Sequence, residues 1–322
     1  MPRPARTLSS LLLQYLGLAL LALTLNFFLL RLAPGSPLLG LEHSEIATAL
    51  SEEQKQRLLT QYGLDQSLLG QFWQYAGRML RGDLGTSLYY NQPVTQAVWP
   101  YLERTLLLVL LGFLPALLLG VGLGLVSALN YKQAWERWLL GGLVLLQALP
   151  PFLIAILLLI LLAVVWPVFP VVSTMLPGQG LGDRLERLAL PVLAYVLWEL
   201  GLFYLFARGA FLSVLGNDHM TYARAKGLPE RIVIFRHLLR AALPPLVART
   251  ALILSASFGG VFFIEAVFGY PGLSTLSLTA IARFDYPLIE GIFLLTLGTI
   301  LLFNLLADLV VMGLDPRTAE GR

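Results

Sequence analysis

The 322 residues are 57% hydrophobic and only 13% charged, with a mean hydropathy of +0.76. Water-soluble domains carry about 25% charged residues, so lipid must be part of this chain's solvent. The net charge of +3 does not point to nucleic acid, because the basic residues lie in loops and at the ends of apolar runs, and the absence of cysteine excludes disulfides, thiolate metal sites and cysteine nucleophiles.

The predicted elements follow in order. Leu8–Leu30 comes after Arg3 and Arg6, lacks a small-residue cleavage site and is long enough to span a bilayer, so it reads as a retained first helix. Segment 32–104 then reads as a small external domain. In it, Ser51 and Gln54 have capping-box spacing, a short helix is expected to run to Tyr62 and stop at Gly63, and Leu69, Trp73, Ala76 and Leu80 recur at helical spacing. That stripe suits an amphipathic helix on the membrane surface, a platform for an external partner, or a lid.

A core of five further spans is expected over 105–312. Thr105–Leu129 is uncharged. Trp138–Trp166 carries Pro150 and Pro151, which predict a kink or break. Leu188–Ala207 is apolar except for Glu199, Ala241–Ile264 except for Arg249, and Leu288–Met312 except for Glu290 and Asp308 near its ends. With the first helix (1–31) this makes an all-α polytopic membrane protein of six spans.

Orientation follows from Lys and Arg near span ends. Pieces 1–7, 130–137, 208–240 and 313–322 carry Arg3, Arg6, Lys132, Arg137, Arg208, Arg224, Lys226, Arg231, Arg236, Arg240, Arg317 and Arg322. The opposite loops 167–187 and 265–287 carry only Arg184, Arg187 and Arg283. Both termini, including the tail 313–322, are therefore expected in the cytoplasm.

The polar insert at 210–240 is long for a membrane protein unless something outside the bilayer grips it. Thr221–Lys226 suits a short helix, Gly227 a left-handed stop, and Pro229 the first turn of a second helix. Ala223 and Gly227 lie four apart, which predicts a small-residue face open to close backbone approach. The plain alternative is a basic loop held to anionic headgroups at about 1 kcal/mol per cation.

Between Arg31 and Asn130 the chain reads RLAPGSP, GLDQSL, RGDLGTSLYYNQPV and ERTLLL; from Asn217 it reads NDHMTYARAKGL, RHLLRAALPP, EAVFGYPGL, FDYPLIEG and, at 314–317, LDPR. In this combination and order the chain resembles the permease subunits of bacterial ABC importers of the dipeptide, oligopeptide and nickel permease B type. The resemblance implies a type I importer permease in the bacterial or archaeal cytoplasmic (inner) membrane. It implies a second homologous permease, two cytoplasmic ATPase subunits and an external substrate-binding protein as partners. It also implies that Asp218, Tyr222, Ala223, Arg224, Ala225, Lys226, Gly227, Leu228, Pro229 and Glu230 form the loop that couples to the ATPase. Glu265, with Tyr270, Pro271 and Gly272, matches a family segment at the outer end of the fifth span, a gate or external-domain contact in one reading and a solvated helix end in another. Three features depart from the family: Thr221 and Tyr222 stand in the Glu-Ala positions of the wider loop signature, Ser36 stands where Asp is usual, and Glu199 and Arg249 place charges where the family usually has none.

Glu199, Arg249 and Asp308 are the intramembrane charges. Counted from Arg208 and Ala241, Glu199 and Arg249 both fall roughly 12–14 Å inside, so they are expected either to pair or to be solvated independently. Asp308 is expected to bond a neighbouring helix or loop. No catalytic constellation, metal site or Walker loop is present, so no cofactor is expected on this chain, with ATP and magnesium left to the partner ATPases. The competing classes are an ion-coupled secondary transporter using Glu199 and Asp308, for which no internal repeat is visible, and a membrane-anchored assembly protein.

Overall fold

The computed structural model describes residues 8–32, 66–174, 178 and 180–314. The helices are α1 (Leu8–Leu32), α2 (Leu68–Leu80), α3 (Val94–Leu129), α4 (Ala134–Ala148), α5 (Pro151–Leu159), α6 (Leu181–Leu215), α7 (Asp218–Ala225), α8 (Glu230–Ile232), α9 (Leu239–Phe268), α10 (Leu273–Ala282) and α11 (Tyr286–Leu314). Among the described residues the extended backbone pairs only at one bridge, Thr86 with Pro93. Among the described residues, five helical stretches are long and apolar enough to cross a membrane, and the α4–α5 pair makes a sixth candidate, bent by 101°. Pro150 and Pro151 cause that bend, because proline supplies no backbone donor and clashes with a preceding turn. Helix α5 continues into a widened π-type turn at Ile160–Val165, and a second one, Val233–Leu238, joins α8 to α9.

The chain divides into two compact units, one of residues 1–11, 105–271 and 300–322, the other of residues 12–104 and 272–299. In the first, α6 is the central element: it packs on α4, α5 and α9. It also lies against α3 in a parallel register set by glycines. A Cβ on Gly112 would meet the Tyr195 ring at 2.4 Å, one on Gly120 would meet Phe203 Cβ at 2.4 Å, and one on Gly124 would come within 2.8 Å of the Arg208 backbone nitrogen. The partners advance in step with the glycines, so the helices run side by side in the same direction. In lipid, where apolar side chains gain little by meeting one another, such close backbone approach supplies the packing attraction.

In the second unit, α1 and α2 meet through aromatic rings. Phe27 is fully buried and lies edge-on to Phe72 and tilted against Tyr75, at 5.4 and 5.3 Å between centroids. Asn26 Nδ2 donates to the Tyr75 hydroxyl and to the Glu290 carbonyl, and Arg31 pairs with the Glu290 carboxylate. Burial pushes the Tyr75 phenol up to about 12. Asp285 fixes the start of α11: it accepts from Ser87 Oγ and from the backbone nitrogens of Tyr89 and Leu288, which ties the RGDLGTSLYYNQP loop to the FDYP segment.

Several expectations need correction. The second span begins at Val94, eleven residues before Thr105, so the 104/105 boundary falls inside a continuous helix. Leu69, Trp73 and Leu80 are exposed, and α2 packs within the chain through Phe72 and Tyr75, whose rings reach Phe27. The N-cap of α2 is Ser67, whose Oγ accepts from Gly70 N at 3.3 Å. The expected box at Ser51 and Gln54, the helix to Tyr62, Ser36, and the basic residues Arg3, Arg6, Arg317 and Arg322 lie outside the described residues.

Replacing Gly124 by Ala should lower the thermal stability of the detergent-solubilised protein by about 1–3 kcal/mol, the usual cost of overpacking. The neighbours it would strike are Ala207 Cβ and the backbone of Arg208 and Tyr204 in α6, none of which can rotate away. The same change at Gly122, whose Cβ would meet nothing within 4 Å, should leave stability unaltered. Equal melting temperatures for the two variants would refute the α3–α6 register.

Candidate functional site

The polar insert is a structured projection clamped to helix ends. Helix α6 ends at Leu215, Asn217 starts the next turn, and α7 runs from Asp218 to Ala225 with an acid in its first turn and Arg224 in its last, as the helix dipole favours. Gly227 follows with φ +73°, a left-handed conformation that costs a side-chain-bearing residue about 1–2 kcal/mol. Its nitrogen donates to the Arg224 carbonyl at 2.9 Å. Pro229 caps the second segment, its carbonyl accepting from Ile232 and Val233; the expectation that it occupies the first helical turn is off by one position. The Arg224 guanidinium grips Glu230 through Nη2 at 2.9 Å and Nε at 3.4 Å, bracing the turn. Both side chains are about half exposed, so the pair contributes at most about 1 kcal/mol.

Underneath lies an apolar anchor. Met220 and Ala223 from α7, with Val233, Leu238 and Ala242, close over Ala128, Ala207, Phe211 and Val214 at the ends of α3 and α6. This corrects the small-residue face inferred from Ala223 and Gly227. Ala223 is 4% exposed and belongs to the core, whereas the space beside Gly227 is open. The outward surface is made of Asp218, Thr221, Tyr222, Arg224, Ala225, Lys226, Gly227, Pro229 and Glu230, with Leu228 half-buried. Tyr222 is 70% exposed at the tip, and Phe235 of the adjoining turn is similarly open.

A polar network steadies the anchor from within. Glu136 is buried and accepts from Arg208 Nε at 2.7 Å and from Ser127 Oγ at 2.9 Å; Ser127 also meets the Tyr204 hydroxyl at 2.8 Å. The Arg208 guanidinium sits over the Tyr131 ring. Sequence reasoning counted Arg208 only as a topology charge and missed Glu136. The available signal was a single acid, Glu136, within a short basic turn beside an apolar run.

The remaining candidates are dispersed. Glu265 is fully buried and accepts from Thr105 Oγ1 at 2.6 Å, which overturns the solvated-end reading. Its carbonyl accepts from Tyr270 N to close the turn before Pro271, and Gly272 caps α10. Asp308 lies half-buried near the end of α11. Glu199 and Arg249 do not pair. Glu199 accepts from Ser257 Oγ at 2.6 Å, while the Arg249 guanidinium lies 3.9 Å from the Phe206 ring centroid. The depth argument failed because α6 runs on to Leu215, sixteen residues past Glu199, or about 24 Å. Arg249 is ten residues from Leu239, or about 15 Å.

Comparison with known proteins bears on the whole chain. A family model described as "Binding-protein-dependent transport system inner membrane component" matches residues 120–320. The glutathione transport system permease protein GsiC of Pectobacterium atrosepticum is 32% identical over 302 residues, covering 92% of this chain and 93% of that protein. The oligopeptide transport system permease protein OppB of Salmonella typhimurium is 30% identical, covering 92% and 93%. The nickel import system permease protein NikB of Staphylococcus aureus is 28% identical, covering 91% and 86%. Among solved structures, an inward-facing MetNI methionine ABC transporter chain matches with a TM-score of 0.57 at 13% identity, over 68% of this chain and 96% of that one, a likeness of fold.

Ala223→Glu should unfasten α7, because a carboxylate placed in that apolar cluster costs about 3 kcal/mol or more; limited trypsin digestion should cut at Arg224 and Lys226 faster. Tyr222→Ala should leave the digestion pattern unchanged, since the ring packs on little. Equal protection in both variants would contradict the assigned anchor.

Proposed function

The chain belongs to the family of binding-protein-dependent transport system inner membrane components, and on that basis we propose how this permease subunit of an ABC importer works. It sits in the inner membrane with both termini and the 210–240 insert on the cytoplasmic side, a placement that its Lys and Arg distribution supports. A second, homologous permease completes the translocation pathway. An external binding protein delivers the cargo, and two cytoplasmic ATPase subunits supply the energy. The cargo is a peptide, the substrate class named for the glutathione and oligopeptide relatives. A more distant relative is named for nickel import.

The observation that supports coupling is the two-sided construction of the insert. Met220 and Ala223 are buried among helix ends while Tyr222, Lys226 and the Gly227 turn project outward. A loop that merely met lipid headgroups would need its cations but neither the apolar anchor nor the fixed turn. With the anchor in place, force on Tyr222 or the turn passes to α6 and α9, the two spans it joins. The exposed tip therefore fits a groove on an ATPase, with Tyr222 as its apolar contact. No ATP-binding loop occurs in the chain, so hydrolysis is assigned to the partners.

Gly227→Val should reduce ATP-driven uptake strongly in cells while membrane insertion stays normal. A β-branched residue at φ +73° strains the turn by about 1–3 kcal/mol and crowds its open side. Unchanged uptake by that variant would sink the docking reading. The purified chain reconstituted alone should show no substrate flux, because it provides only half of a pathway; flux from the chain alone would favour a self-sufficient transporter.

A further inference from the structure

Arg249 is a cation within a membrane-spanning helix, and no carboxylate among the described residues pairs with it. Its Nε is buried without a hydrogen-bond partner, and its guanidinium lies over the Phe206 ring of the neighbouring helix, with Cζ 3.9 Å from the ring centroid. It lines a cavity of about 600 Å³ whose other walls include Leu205, Phe206, Pro245, Leu246 and Leu252. Those walls come from α6 and α9, the two helices that the cytoplasmic insert joins.

Charges inside spans are costly, and where they persist they face a partner, a cavity or a substrate path. The cation–π contact with Phe206 restricts where the guanidinium can lie. A fixed guanidinium presents its donors as a rigid fork that matches a carboxylate, and the cavity falls in the size range of small-ligand sites. The required ligand is thus an anion joined to an apolar body. We propose that Arg249 and this cavity form a binding site for the C-terminal carboxylate of the transported peptide, its adjoining side chain lying against the leucines. The proposal rests on the reading of the cargo as a peptide. Glu199 does not compete for the cation: it is engaged by Ser257, about 12 Å further along α9.

The test uses the assembled complex of both permeases and both ATPases in nanodiscs of zwitterionic lipid. Equilibrium binding of radiolabelled trialanine is compared with that of its C-terminal amide, in the wild type and in Arg249→Gln. The free acid should bind at least about tenfold more tightly than the amide, the difference expected of one charge-assisted hydrogen bond, and Arg249→Gln should remove that difference. Arg249→Lys should restore part of it, because the charge returns without the planar fork. Equal binding of acid and amide, no saturable binding of either, or a preference that survives Arg249→Gln would overturn the proposal. So would an acidic phospholipid retained by the wild type and lost from Arg249→Gln, since the site would then belong to lipid. Failure of the chain to co-purify with ATPase subunits would instead defeat the importer reading itself.

Discussion

The account depends on one apolar contact: Met220 and Ala223 of α7 seated against Ala128, Ala207, Phe211 and Val214. A polar loop between two spans has no reason of its own to hold a shape, and an eight-residue helix is too short to be stable alone. Burying the inner face of α7 gives that helix a fixed position on the end of α6. The left-handed turn at Gly227 then sends the chain back through Pro229 and Glu230 into the path of α9. Everything exposed on the insert inherits its geometry from that contact.

The same logic governs the polar groups within the helical bundle. Each buried acid in the described residues has an identified donor: Arg208 and Ser127 for Glu136, Arg31 for Glu290, Thr105 for Glu265, Ser257 for Glu199, and Ser87 for Asp285. Where water is absent, an unmatched polar group is expensive, so these pairs specify which helix faces meet. Glycines specify the distance: Gly112, Gly120 and Gly124 let α3 approach α6 closely enough for backbone contact. Arg249 stands apart from this pattern: its Nε is buried with no hydrogen-bond partner and its guanidinium meets the Phe206 ring.

Much of this was legible in the sequence. Long uncharged runs located the spans, Pro150 and Pro151 marked the break, and Gly227 marked the stop of α7, because each acts through the local backbone. Helix ends were less legible. The α3 and α6 helices extend beyond their apolar runs into polar residues, which still form helix once the apolar part is fixed, and that extension defeated the depth matching of Glu199 with Arg249. Which side of a short helix is buried was also hidden. Ala223 looked like a small residue kept clear for a partner, yet the same small size fits it into the crowded junction of α3 and α6. The packing side of α2 was hidden in the same way: the Phe27 ring meets Phe72 and Tyr75, a contact that no local spacing announces. Long-range pairs such as Arg31 with Glu290 leave no local trace in one sequence.

The chain lacks cysteine, so a single introduced cysteine is its one thiol site for a photoactivatable cross-linker. The decisive measurement attaches it in turn at Tyr222→Cys, on the exposed tip of the insert, and at Arg184→Cys, on the exposed start of α6, in membranes containing the whole transporter. Position 222 should give an adduct with the ATPase subunit and position 184 should give none. No ATPase adduct from position 222, or an equal one from position 184, would contradict the central claim that the anchored insert is the surface an ATPase grips.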